Sequence, residues 1–266
     1  MSVKFIDRPC GSGKTSEMIE GFDPLKQYLV VVPYLDEVER VLRDSKVPFE
    51  EPTTENHRTK MDALKSIVAE GGNIVTTHAL FDDVDIRRVD LSGYTLLIDE
   101  VFDVIQNVSG PRLDAWQRVY IGDGYATVDA DTGLVVPTEK WSDDPAGLDG
   151  TLSYSLYRVA ASGRLHKAED GAFFVSVVPV SLFTKSKECI VHTYLAEFSL
   201  MAAYLRKNDV SYTVDQDPRE DRAFRQSAKQ KIKVEVINAL SGLPFTYNKQ
   251  GEMRKAARRV STALCN

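Results

Sequence analysis

From Pro9 to Ser16 the chain reads Pro9-Cys10-Gly11-Ser12-Gly13-Lys14-Thr15-Ser16. Each residue type in this octet has a use around a polyphosphate. Gly11 and Gly13 let the backbone curl until several N–H groups face inward as an anion nest. A helix starting near Lys14 adds its positive end. Lys14 can reach the outer phosphates as a point charge, and the Thr15 hydroxyl can ligate Mg²⁺. One position departs from the usual spelling: Arg8 stands where such loops carry their first glycine. The bland alternative is a glycine-rich turn that binds nothing.

Hydrolysis needs more than a cradle. A carboxylate must hold the Mg²⁺ shell at the end of a buried strand, and a second group must activate water. The run Tyr94-Thr95-Leu96-Leu97-Ile98-Asp99-Glu100 offers both side by side. Its apolar part reads as a buried strand, so Asp99 is expected at the carboxyl end, where open α/β sheets bind ligands. Asp99 is assigned to the metal and Glu100 to the attacking water. Taken alone, the pair could be an acidic strand end or a helix cap.

The elements that must hold these residues alternate in the first 110 residues. Strands are expected at Val3–Ile6, Tyr28–Val32, Asn73–Thr77 and Tyr94–Ile98. Helices are expected after Thr15, over Asp36–Arg43, over Arg58–Ala69 and over Val101–Val108. This rhythm implies a mostly parallel sheet with helices on both faces. From 110 to 171 the chain is rich in Gly, Asp, Pro and Ser. It reads as an insertion holding a β-hairpin around the turn Asp129–Gly133 and a helix near Leu152–Ala161. Strands return at Phe173–Val178, Cys189–Thr193 and Val210–Val214, with a helix over Glu197–Arg206. The expected division is 1–109 with 172–186 as the nucleotide-binding lobe, 110–171 as the insertion, and 187–266 as a partial second α/β unit or basic tail.

Bulk properties narrow the class. With 43% hydrophobic and 27% charged residues over 266 positions, the composition is that of an ordinary globular chain. No apolar run approaches the ~18 residues of a spanning helix, no secretory leader is visible at Met1–Arg8, and the three cysteines are widely spaced. A cytoplasmic protein without a zinc framework is expected. The net charge of −6 conceals an asymmetry. From Arg219 onward there are eleven Lys and Arg against four Asp and Glu. A basic end on an acidic body fits contact with a polyanion, or simply a solvated helix face.

Taken together, Pro9–Thr15 and Asp99-Glu100-Val101 resemble motifs I and II of superfamily 2 helicases and related DNA-dependent ATPases. Val30-Val31-Val32-Pro33-Tyr34 and Asn73-Ile74-Val75-Thr76-Thr77-His78 resemble the stretches between those motifs. The combination is most like helicase-type ATPases encoded by bacteriophages. The resemblance implies a RecA-like P-loop lobe binding ATP and Mg²⁺. It also implies a nucleic-acid partner, DNA being favoured, with contacts at Thr76, Thr77 and His78, although His78 reads equally as an internally bonded loop histidine. Tyr34 is either a base-stacking residue or a core aromatic. Ile190–Leu205 resembles the opening of a second helicase lobe, and Ser176 or Pro179 is matched to the strand between motifs I and II. The Q-x-x-G-R-x-x-R element that supplies an arginine finger is not found. Arg254, Arg258 and Arg259 form a basic helical cluster in a different context, either nucleic-acid contacts or a solvated helix face, so a partner or second lobe would supply the finger. Two other classes stay open: a nucleotide-gated binding or loading factor without turnover, and a small-molecule phosphotransferase.

Overall fold

The computed structural model describes residues 2–82, 89–168 and 173–232. The Arg254, Arg258 and Arg259 cluster lies outside them. Two compact units divide at Glu220, and the first, Met1–Glu220, holds every element discussed below except most of the final helix.

The elements of the first half are β1 (Val3–Asp7), α1 (Lys14–Glu20), β2 (Gln27–Val32), α2 (Leu35–Asp44), α3 (Lys60–Glu70), β3 (Ile74–Thr77), α4 (His78–Asp82) and β4 (Tyr94–Asp99). Their local causes are visible. Thr59 caps α3 by accepting the Asp62 N–H at 3.0 Å, and Gly71 ends it in the left-handed region at φ 74°. The apolar runs of β2 and β4 are buried over nearly their whole length, as strands covered on both faces must be.

The middle of the chain forms β5 (Ile105–Val108), α5 (Leu113–Ala115) continued by a π-helical segment at Trp116–Gly122, β6 (Ala126–Val128), β7 (Val135–Pro137), α6 (Glu139–Asp143), α7 (Tyr154–Ala161), β8 (Leu165–Lys167) and β9 (Phe174–Val177). The hairpin and α7 fall where the sequence predicts them. Asp129 Oδ1 accepts the N–H groups of Asp131 and Thr132 and the Thr132 hydroxyl, an ordinary Asx-type turn. The helix expected over 101–108 is instead a loop running into β5. Val104 is fully buried, and β5 pairs antiparallel with β9, which removes the segment from helical geometry. The insertion is thus wider than 110–171. Its three-stranded sheet, β5-β9-β8, uses both flanks. It has a core of its own built on Trp116, Tyr120, Trp141, Leu156, Leu165 and Phe174.

After it come α8 (Ser181–Thr184), β10 (Glu188–Thr193), α9 (Leu200–Lys207), β11 (Tyr212–Gln216) and α10 (Pro218–Lys231). The main sheet has six strands in the order β11-β1-β10-β4-β2-β3, and all of its pairs are parallel. The fold class is therefore α/β with a central parallel sheet, as expected. The expected second unit beginning at 187 is corrected by this topology. β10 lies in the middle of the first sheet, flanked by β1 and β4, and β11 closes its edge against β1. The match of Ser176 to a strand of the helicase-like sheet is corrected too, because β9 belongs to the small antiparallel sheet.

Strand alternation divides the large sheet into two faces. Phe5, Leu29, Leu96, Ile98, Cys189 and Val191 face one core with Leu64 of α3 and Met201, Ala202 and Leu205 of α9. Tyr28, Val30, Val32 and Leu97 face the other, with Met18 and Ile19 of α1 and Val38 and Val41 of α2. No helix among the described residues is long and apolar enough to cross a membrane.

Candidate active site

The carboxyl ends of β1, β4 and β10 meet at one edge of the sheet. The loop after β1 is built on Gly11 at φ 76° and Gly13 at φ 94°, which a side chain would strain. The space where a Cβ would project from either is open to 4 Å. Ser12 N–H reaches the Pro9 carbonyl at 3.2 Å and closes the turn. α1 then starts at Lys14 with no side-chain cap, so its first amides have no acceptor within the helix. Cys10, Gly11 and Ser12 are exposed along this loop, and Pro9 is buried beneath it.

Two contacts join this loop to the end of β4. The Thr15 hydroxyl donates to Asp99 Oδ2 at 2.8 Å, and Lys14 Nζ lies 3.1 Å from Glu100 Oε1. Lys14 is only 7% exposed, and its Nζ also donates to the Arg8 carbonyl at 3.2 Å. Glu100 sits in the left-handed region at φ 65°, uncommon for a residue with a Cβ. Its N–H is held by the His192 carbonyl at 2.8 Å, which fixes the turn that aims its side chain at Lys14. Glu100 Oε2 accepts the Thr193 hydroxyl at 3.2 Å. The four residues singled out for phosphate, metal and water are brought together.

Burial raises the Asp99 pKa. The Thr15 hydrogen bond opposes the rise, Glu100 adds to it, and Lys14 opposes it again. Asp99 Oδ1 is buried and has no partner among the described residues. A hydroxyl and one carboxylate with a free oxygen suit Mg²⁺, which keeps several waters and takes phosphate oxygens. Among the described residues there is no cluster of three or more His, Cys, Asp or Glu side chains suited to a metal.

Several supporting residues escaped the sequence reading. Asp7, at the end of β1, accepts the N–H groups of Leu195 and Ala196 at 2.9 and 3.1 Å and so clamps the turn after β10. Arg8 donates to the Asp215 carbonyl at 2.8 Å and lies 3.4 Å from Glu220 Oε2. The side chain that replaces the first glycine thus ties the root of the loop to β11. Arg40 of α2 donates to Ser16 Oγ at 2.8 Å. His192, beside Asp99 in the β10–β4 register, has its pKa lowered to about 4 by burial first and by Lys14 second.

The chain is similar to a prophage protein. This relative is the SPbeta prophage-derived uncharacterized protein YonV of Bacillus subtilis (strain 168), 28% identical over 263 residues that cover 87% of this chain and 61% of YonV. The chain thus spans about three fifths of that relative's length. No protein-family model matches. Among solved structures, an apo XPD is similar at a TM-score of 0.47 and 15% identity, over 83% of this chain and 56% of that one. Xpd4 of S. tokodaii is similar at 0.38 and 13%, over 81% and 57%.

The residues expected to touch nucleic acid fare unevenly. Thr76 is 1% exposed inside β3 and cannot offer its hydroxyl to a polymer, which corrects that expectation. Thr77 Oγ1 accepts the Leu80 N–H at 3.4 Å, inside the first turn of α4. His78 Nε2 lies 3.0 Å from the Asp99 carbonyl, which can only accept, so Nε2 carries the proton. Burial lowers the His78 pKa, opposed by that hydrogen bond and by Glu100. His78 thus braces the end of β4. Tyr34 is 72% exposed where β2 ends, so it is not a core aromatic.

Proposed function

We propose that this chain is the ATP-binding part of a nucleic-acid-dependent ATPase, a helicase or translocase, that hydrolyses ATP with Mg²⁺. The observation that carries this is the meeting of Lys14 and Thr15 with Asp99 and Glu100, residues far apart in sequence, through contacts of 2.8 and 3.1 Å. In this account the loop amides and Lys14 hold the β- and γ-phosphates. Thr15 and Asp99 would hold Mg²⁺, which would supply neutralisation of the phosphate charge. An incoming phosphate competes with Glu100 for Lys14. Glu100, oriented by Thr193, then accepts the proton of the attacking water.

The resemblance of Pro9–Thr15 and Asp99-Glu100-Val101 to helicase motifs I and II supports a nucleic-acid partner. The exposed Tyr34, just past the carboxyl end of β2, supports contact with a base. A partner or further lobe supplies the cation opposite Lys14. The test is ATP hydrolysis with and without single- and double-stranded DNA and RNA at two salt concentrations. Stimulation that weakens with salt is expected. Binding without turnover would establish a gated binding factor instead, and transfer to a small acceptor would establish a phosphotransferase.

A further inference from the structure

α4 is a single turn with a different attachment at each end. At its start, His78 reaches the Asp99 carbonyl. At its end, Asp82 forms an ion pair with Arg164, which enters β8 of the insertion, and accepts Gln106 Nε2 of β5 at 3.3 Å. Arg164 is 5% exposed, and its Nε finds no acceptor among the described residues. A buried guanidinium is an expensive way to fasten two surfaces, since apolar residues of like volume hold them as well or better. The turn between the two attachments is stiff. Phe81 is fully buried, and Phe102 packs at 5.5 Å from His78 and 5.9 Å from Phe81.

We infer that Arg164 is a positioning residue for the nucleotide site, acting through Asp82 and α4 on His78 and thereby on the carboxyl end of β4. The inference rests on the proposed nucleotide reading. It gives the insertion a role: whatever contacts the insertion sets the geometry of Asp99 and Glu100. The same contacts connect the two places in either direction, so nucleotide at the loop is expected to be felt in the insertion.

The protein carries its own reporter. Both tryptophans of the sequence, Trp116 and Trp141, are fully buried in the insertion core, which also contains Leu165, the neighbour of Arg164. Their fluorescence therefore reads the insertion alone. The experiment titrates the full chain with MgADP, following tryptophan emission and, in parallel, heat of binding. The wild type is expected to bind with a change in emission. Asp82→Asn and Arg164→Met are expected to bind equally well with that change lost. Their kcat for ATP should fall about three- to tenfold at unchanged KM, the effect of losing roughly one hydrogen bond in the transition state. Asp82→Asn combined with His78→Ala should be no slower than His78→Ala alone, because residues acting in series are not additive.

Binding of MgADP to the wild type without an emission change overturns the inference, even if the variants do not fold. So does a full emission change in Asp82→Asn, or an additive double variant. Absence of MgADP binding in the wild type overturns the underlying nucleotide reading, and the inference falls with it.

Discussion

Asp99 and Glu100 are adjacent in sequence and costly to the fold in different ways. Asp99 is buried with a raised pKa, so its folded-state value lies above the unfolded one. A group shifted in that direction stabilises only at low pH and costs stability once pH rises through the folded value. Asp99→Asn should therefore raise the melting temperature at neutral pH while abolishing hydrolysis. An unchanged or lower melting temperature would contradict the burial argument. Glu100 carries backbone strain at φ 65°. Glu100→Gly should be more stable than Glu100→Ala by about 1 kcal/mol in urea unfolding, since only glycine relieves the left-handed conformation. Thr193→Ala removes the hydroxyl on Glu100 Oε2. It should lower kcat up to about tenfold with little effect on nucleotide affinity, as expected for one hydrogen bond of about 1 kcal/mol.

At the scale of elements, the decisive arrangement is β10 between β1 and β4. It brings His192 and Thr193 to the candidate site and gives Glu100 its backbone anchor. Residue types announced the loop and the Asp-Glu pair because their chemistry is local: glycine at positive φ, a lysine after it, a carboxylate ending an apolar run. The neighbours of a strand are not local. Glu188–Thr193 reads as a strand from its apolar run, but nothing in that run says which strands it joins. A long insertion before it invites the reading of a new unit. The segment Val101–Val108 fails for a related reason. Its apolar residues serve two cores in turn, so their spacing mimics a helix. Arg8, an oddity in the sequence, is a tie to β11 through Asp215. Arg8→Ala should speed hydrogen exchange in Tyr212–Gln216 and cost no more than about 1 kcal/mol, the range for partly exposed ion pairs. Exchange in β11 as slow as in the wild type would contradict that role.

The whole molecule should be sensitive to mild acid. His192 and His78 both have pKa values lowered by burial. Their unfolded forms take up protons near 6.5 while the folded forms stay neutral, so stability is fully present above that value and falls as pH drops. For His192, with a folded value of about 4, the loss is on the order of 3 kcal/mol by pH 4. Urea unfolding at pH 7.5 and pH 5 should show a smaller loss for His192→Gln than for the wild type, and equal losses would contradict the assignment. The same buried edge carries the central claim, that Lys14, Thr15, Asp99 and Glu100 form one hydrolytic site. The most direct measurement compares MgATP binding and turnover in the wild type and Glu100→Gln, in the presence of the most stimulating polynucleotide. Binding should be retained in the variant while turnover falls by about 10²–10⁴. Turnover in Glu100→Gln equal to the wild type would contradict the account.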